Sequence, residues 1–237
     1  DVKLAAGGVM KAWVVYPERP DKAGVVLVIH DINGLRDIAR AVGDQLAQDG
    51  FIAIVPDFLS GKGPNGGGTE SLGTGVGQAI QGLARAEVNA RLDAAMAYGK
   101  TLAASNGKTG VVGFCWGGAG SFAYAAAQPN LNAAVVFYGQ APGSDVAGAT
   151  EDAVAAQLAN IKAPVLANYA GNDARIGATV PVTEAAMKKL NKSYEIHTYA
   201  GAGHGFMGAQ AGAGGANLKA AQEAWPIVVQ FFKKNLQ

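Results

Sequence analysis

Cysteine is almost absent from this chain: among 237 residues only Cys115 carries a thiol. An intrachain disulfide and any cysteine-rich metal site are therefore excluded. Histidine is scarce as well, with His30, His197 and His204 as the full set. No metal-ligand cluster stands out, so neither a metal nor an organic cofactor is expected. Charge is sparse at 16%, and the net charge of +1 leaves no field that would draw nucleic acid or an anionic membrane. No apolar run reaches bilayer length, the longest strand-like stretches being Val25 to Ile29 and Phe51 to Val55. A soluble protein is expected. Because the chain begins at Asp1, either signal removal or trimming fits, and the expectation covers cytoplasmic as well as periplasmic or secreted locations. Monomer and homodimer both stay open.

What is present is apolar content of 49%, ample for a large core, in a chain of a length that suits one α/β domain over residues 1–237. Lys11 to Tyr16 reads as a strand ended by Pro17, and Val25 to His30 as a strand buried on both faces. Ile38, Val42 and Leu46 recur every four positions up to Gly50 and describe a helix, and Phe51 to Val55 forms the next strand. Gly61 to Gly77 is a glycine-rich excursion, read as a lid or a floppy connection. Ala84, Val88, Leu92 and Met96 then mark one face of a long helix from about Gln78 to Ala104. Further strands are expected over Ala133 to Tyr138, Pro164 to Ala170 and Tyr194 to Tyr199. The helices between and after them span Glu151 to Ala159, Val182 to Leu190 and Ala216 to Leu236, with Pro226 starting or kinking a segment of the last. This alternation predicts a mostly parallel sheet with helices on both faces, whose ligands bind beyond the carboxyl ends of the strands.

One stretch organises the rest. Gly113-Phe114-Cys115-Trp116-Gly117-Gly118 follows the apolar strand Thr109 to Val112 and precedes an alanine-rich helix from Ala119 to Ala127. A nucleophile on such a sharp strand-to-helix turn sits in a strained backbone conformation, and its neighbours must be small because strand and helix pass close together. A helix N-terminus also favours thiolate and offers N–H groups, that of Trp116 above all, to an oxyanion.

A thiol nucleophile needs a base and the base an orienting carboxylate. His197 falls inside a strand, and His30 immediately precedes the turn Asp31-Ile32-Asn33-Gly34, where it shapes a loop. His204 lies in the loop Ala200-Gly201-Ala202-Gly203-His204-Gly205-Phe206 after the last strand, from where an imidazole reaches across strand ends. Asp173 follows a strand directly, whereas Asp145 and Asp152 read as loop or helix-cap residues. The order nucleophile, acid, histidine is that of the α/β-hydrolase arrangement.

The motifs Gly113 to Gly118, Gly171-Asn172-Asp173, Gly203-His204-Gly205-Phe206 and the early His30 to Gly34 together resemble the dienelactone hydrolase family over about Val9 to Leu236. The resemblance implies a cysteine hydrolase of esters or lactones, with Cys115 as nucleophile, His204 as base and Asp173 as acid. It places the oxyanion donors at the backbone N–H groups of Ile32 and Trp116, and sets Asp31 where the family's glutamate gates the resting thiol. The family holds its substrate carboxylate with two arginines. One of those positions, four residues after His204, is Gly208, and the segment Thr69 to Ile80 contains no arginine for the other. Arg36, Arg40 and Arg175 are the candidate replacements, and Tyr138, Trp116, Phe206 and Met207 the candidate apolar lining. A small ester or lactone is the expected partner. A broad small-ester carboxylesterase, a binding protein on a hydrolase scaffold and a redox-responsive thiol protein are the alternatives.

Overall fold

A computed structural model describes residues 1–237, and contacts divide the chain into two compact units, Asp1–Val111 with Leu236–Gln237, and Val112–Asn235. Seven strands lie in one mostly parallel sheet with helices on its faces, in the order Ala12–Val15, Ile52–Pro56, Ala23–Ile29, Ser105–Phe114, Ala133–Phe137, Val165–Ala170 and Tyr194–Tyr199, and Val2–Lys3 pairs with Val9–Met10 in a separate two-stranded ribbon.

In the first unit β1 (Val2–Lys3) and β2 (Val9–Met10) form the antiparallel ribbon. β3 (Ala12–Val15) comes next, followed by β4 (Ala23–Ile29), α1 (Asp37–Gln48) and β5 (Ile52–Pro56). β3 runs antiparallel to β5, and β4 runs parallel to it, so the β4-α1-β5 crossover is the parallel unit that the alternation predicts. Every residue of β4 and β5 is buried. The buried face of α1 is Ala39, Gly43, Leu46 and Ala47, while Ile38 is exposed. That corrects the expected face by about one residue. A Cβ on Gly43 would lie 2.8 Å from Val55 Cγ2, so small residues let the helix approach β5 more closely than Ile38 and Val42 would allow.

The expected long helix is two. α2 (Val76–Gln81) ends at Gly82, and α3 (Arg85–Thr101) begins after Ala84, whose backbone is extended at φ −65° and ψ 137°. Val88, Leu92 and Met96 are buried as expected and Ala84 is exposed. Before α2 the glycine-rich excursion is anchored at its middle. Thr69 is buried and donates its N–H to Asp57 Oδ2 at 2.9 Å and its hydroxyl to Asp57 Oδ1 at 2.6 Å. The same hydroxyl accepts the N–H of Leu35 at 3.1 Å. These bonds tie the excursion to β5 and to the turn after β4, so Thr69 is not part of a floppy connection.

β6 (Ser105–Phe114) starts earlier than the sequence suggests and leads into the second unit. There α4 (Trp116–Ala127) is followed by β7 (Ala133–Phe137), α5 (Glu151–Leu158), β8 (Val165–Ala170) and a short α6 (Ala174–Gly177) that the sequence does not announce. α7 (Val180–Lys189), β9 (Tyr194–Tyr199) and α8 (Ala216–Leu236) complete the unit. β7, β8 and β9 are mutually parallel; β7 and β8 are fully buried, and β9, the last strand in the order, is half-exposed. Pro226 lies inside α8 and starts no new segment. No helix is long and apolar enough to cross a membrane.

Candidate active site

Cys115 is the residue between β6 and α4, with φ 57° and ψ −114°. A non-glycine residue held there costs of order 1–3 kcal/mol, which surrounding structure must offset. Its N–H donates to the Phe137 carbonyl on β7 at 3.1 Å, and its own carbonyl accepts the N–H of Ala119 at 3.1 Å. The glycines around it leave no room for a side chain. A Cβ on Gly113 would come 1.9 Å from the Gly117 carbonyl oxygen, one on Gly118 2.3 Å from the Phe137 oxygen, and one on Gly139 2.2 Å from the Ala119 nitrogen. The sharp turn is thus enforced by backbone-to-backbone packing among β6, α4 and the end of β7. Trp116 occupies the first position of α4, where a backbone N–H has no carbonyl within its own helix and points out of the N-terminus.

Asp173 follows β8 and is buried. Its Oδ1 accepts the N–H of Ile176, capping α6, and its Oδ2 accepts from His204 Nδ1 at 2.5 Å. The unannounced α6 therefore fixes one carboxylate oxygen and aims the other. The two loops are joined by backbone as well: Gly171 N–H reaches the Tyr199 carbonyl at 2.8 Å and Asn172 N–H the Ala202 carbonyl at 2.9 Å.

His204 keeps a side chain one-third exposed (33%). With Nδ1 engaged by Asp173, Nε2 is the ring nitrogen available to Cys115, and the hydrogen bond with Cys115 is the largest influence on the imidazole. That bond, helped by Asp173 and opposed by partial burial, holds the histidine above its ordinary pKa. The structure thus brings together Cys115, His204 and Asp173. Beneath them Tyr138 sits with its ring centroid 5.0 Å from that of His204, and Phe206, with no exposed surface, packs on Tyr138 at 5.2 Å, Tyr199 at 5.4 Å and Phe137 at 5.9 Å. Phe206 supports the histidine loop from below, and Met207 is half-buried beside it. Tyr138 is itself at φ 39°, a second strained residue at the carboxyl end of the sheet.

A cavity of about 630 Å³ opens in the same unit, lined by Gln140, Ser144, Asp145, Val146, Arg175 and Val182 among others. Arg175 stands two residues beyond Asp173, exposed and without an ion pair. The other candidate arginines are already engaged: Arg40 pairs with Glu70 at 2.7 Å and with Asp37, and Arg36, exposed, donates to the Asn33 carbonyl at 3.3 Å.

The turn after β4 belongs to the first unit. His30 is buried, donates from Nδ1 to the Asp31 carbonyl at 2.8 Å and meets Phe58 edge-on at 5.2 Å. Burial pulls its pKa below the ordinary value, so the ring stays neutral and shapes the turn. Asp31 accepts the N–H of Asn33 at 2.8 Å and the Asn33 side-chain amide at 3.0 Å, so both its oxygens close its own turn. Ile32, next along, is half-exposed. His197 pairs with Glu195 at 2.7 Å on the surface of β9. No group of three or more His, Cys, Asp or Glu residues is arranged to hold a metal.

A parallel sheet with a thiol on a strained turn at the head of a helix, and an aspartate and a histidine on later loops, is an α/β-hydrolase. The particular family follows from comparison: the model of the dienelactone hydrolase family matches residues 10–236, and the chain belongs to that family. A protein of Methylorubrum extorquens named "Putative carboxymethylenebutenolidase" is 32% identical over 201 residues, covering 84% of this chain and 68% of that one. One of the same name from Escherichia coli K12 is 28% identical over 231 residues, covering 96% and 83%. A crystal structure titled as a putative dienelactone hydrolase of Klebsiella pneumoniae superposes with a TM-score of 0.81 at 26% identity, covering 98% of this chain and 97% of that one. The protein is accordingly a hydrolase of the ester and lactone type.

Proposed function

We propose that the chain hydrolyses small esters or lactones through Cys115, His204 and Asp173 by way of a covalent acyl-enzyme. His204 Nε2 takes the Cys115 proton as sulfur attacks the carbonyl carbon, and the carbonyl oxygen becomes an oxyanion held by the N–H of Trp116. Collapse of the tetrahedral intermediate breaks the ester C–O bond, and the leaving oxygen carries away the proton from His204. Water then gives its proton to His204 and attacks the thioester; the acid is released and the proton returns to sulfur. Asp173 orients the imidazole throughout. The observation that carries this reading is the His204 imidazole bound to Asp173 on one side and hydrogen-bonded to Cys115 on the other, with Cys115 on a turn at φ 57°. Sulfur is a better leaving group than alkoxide from a tetrahedral intermediate, so aryl and enol esters should outrun amides.

The substrate range is a separate matter. Gly208 stands where the resemblance implies an arginine, and this favours a broad small-ester carboxylesterase beside strict dienelactone specificity. Arg175, unpaired on the 630 Å³ cavity, is the chain's own candidate for a substrate carboxylate.

The test is the hydrolysis of a short-chain aryl ester and of a dienelactone by the purified protein and by Cys115→Ala. Loss of about 10³-fold or more on both substrates in the variant supports the cysteine mechanism. Equal rates in the two proteins leave the turn as architecture and bring forward a binding role on a hydrolase scaffold.

A further inference from the structure

The backbone of the loop that carries His204 is tied to α8 by a side chain that lies outside the reacting trio. Asn217, in the first turn of α8, is buried at 4% exposure. Its Oδ1 accepts the N–H of Gly203 at 2.8 Å, and its Nδ2 donates to the carbonyl of Ala209 at 2.8 Å. One amide thus grips residues 203 and 209, the two ends of the segment that contains His204, Phe206 and Met207. A donor at one end and an acceptor at the other dictate which way the amide faces, so the residue type is matched to the task.

The segment needs such a grip. Gly203, Gly205 and Gly208 make it rich in the residue with the most backbone freedom to lose, and Gly205, like Gly201 just before the segment, is held at positive φ, 77° and 75° respectively. Inside it the only backbone bonds are those of a local turn, from Gly208 N–H and Ala209 N–H to the Gly205 carbonyl at 2.9 and 3.0 Å. Upstream, Asn172 fastens Gly201 and Ala202 to the Asp173 loop. Between that fastening and the start of α8, Asn217 is the side chain that ties the loop backbone to the helix.

We propose that Asn217 is a positioning residue of the hydrolytic site, clamping the 203–209 segment so that the His204 ring stays in register with Asp173 Oδ2 and Cys115. The proposal rests on the reading of those three residues as the reacting groups. It predicts an effect on turnover more than on substrate binding, because a displaced imidazole transfers protons poorly, while Trp116, Tyr138 and the cavity that Arg175 lines lie outside the clamped segment.

The experiment compares wild type, Asn217→Leu and Asn217→Asp with Cys115→Ala as control, using aryl-ester kinetics and an NMR titration of the His204 ring. Asn217→Leu, similar in volume, removes both bonds of the clamp: the Gly203 N–H loses its acceptor, and the Ala209 carbonyl keeps only the N–H of Gly212 at 2.9 Å. Its kcat is expected to fall about tenfold to a hundredfold with KM changed less than about threefold, and the His204 midpoint to drop toward that of a free histidine. Asn217→Asp keeps an acceptor for Gly203 and sets a carboxylate oxygen against the Ala209 carbonyl, so it should fall between the two and carries the same readouts should the leucine variant not fold. A variant that melts earlier yet keeps kcat and the His204 midpoint would overturn the proposal, reducing Asn217 to a stabilising cap. Should Cys115→Ala retain the full rate, the cysteine mechanism fails by itself, and the His204 titration in Asn217→Asp still decides whether the clamp holds the ring.

Discussion

His204 Nδ1 lies 2.5 Å from Asp173 Oδ2, joining two loops 31 residues apart in the chain. Together with the hydrogen bond to Cys115, the larger influence, it holds the imidazole above its ordinary pKa of 6.5. The base works in its neutral form, so activity should rise with pH through a limb that lies above 6.5. Replacing Asp173 by Asn removes one of the raising interactions and permits the wrong ring tautomer. Asp173→Asn should lower kcat/KM about 10³- to 10⁴-fold and move the acid limb toward lower pH, as a pH–rate profile would show. The sign for stability is fixed by the same shift. Because the folded value is raised, the stabilisation from His204 is fully present below 6.5 and is lost as pH rises through the folded pKa.

Gly113→Ala tests the turn. The added methyl would sit 1.9 Å from the Gly117 carbonyl oxygen and 2.6 Å from Ser121 Oγ, so β6 and α4 must separate. A loss of about 2 kcal/mol or more in urea denaturation is expected. Residual folded enzyme should show a lowered kcat, because the N-terminus of α4 moves with the nucleophile.

The bonds that Thr69 donates to Asp57 and accepts from Leu35 predict a structural cost at the glycine-rich excursion. Thr69→Val keeps the shape and removes the hydroxyl, leaving Asp57 Oδ1 short of its 2.6 Å donor and Leu35 N–H without its acceptor. Destabilisation of about 2–3 kcal/mol should follow. Limited proteolysis should cut the variant within 61–75 faster than wild type. Unchanged cleavage would show that the excursion is held elsewhere.

Arg175 separates the two substrate ranges. If it receives a carboxylate, Arg175→Ala should raise KM for a dienelactone about tenfold or more and leave KM for a neutral aryl ester within about twofold, the difference expected for loss of a charge-assisted bond. Equal KM changes on both substrates would remove Arg175 from carboxylate recognition.

Much of this architecture is visible in the residues themselves. β4, β5, β7 and β8 are continuous apolar runs bounded by turn residues, and β9 and α8 start and stop where composition says they do. The turn at Cys115 is legible because its causes are local: an apolar strand, three glycines and an alanine-rich helix within a few residues. The break between α2 and α3 is not, because the apolar spacing of Val88, Leu92 and Met96 extends smoothly back to Ala84, and Gly82 alone does not say that the backbone turns. The face of α1 is misread for a related reason. Periodicity marks the large residues, whereas close approach to β5 selects the small ones.

By itself the sequence determined the strand-helix alternation, the strained position of Cys115 and the chain order in which a carboxylate and a histidine follow it, since each depends on residues adjacent in the chain. Only the tertiary structure decided which atoms meet. Asp173 spends one oxygen on α6 and the other on His204; Thr69 is fastened by a carboxylate twelve positions earlier; Asn217 reaches back fourteen positions to Gly203 and eight to Ala209. Hydrogen bonds between loops carry no periodic signature, because a polar side chain that anchors a turn and one that faces water obey the same composition, and packing alone brings donor to acceptor.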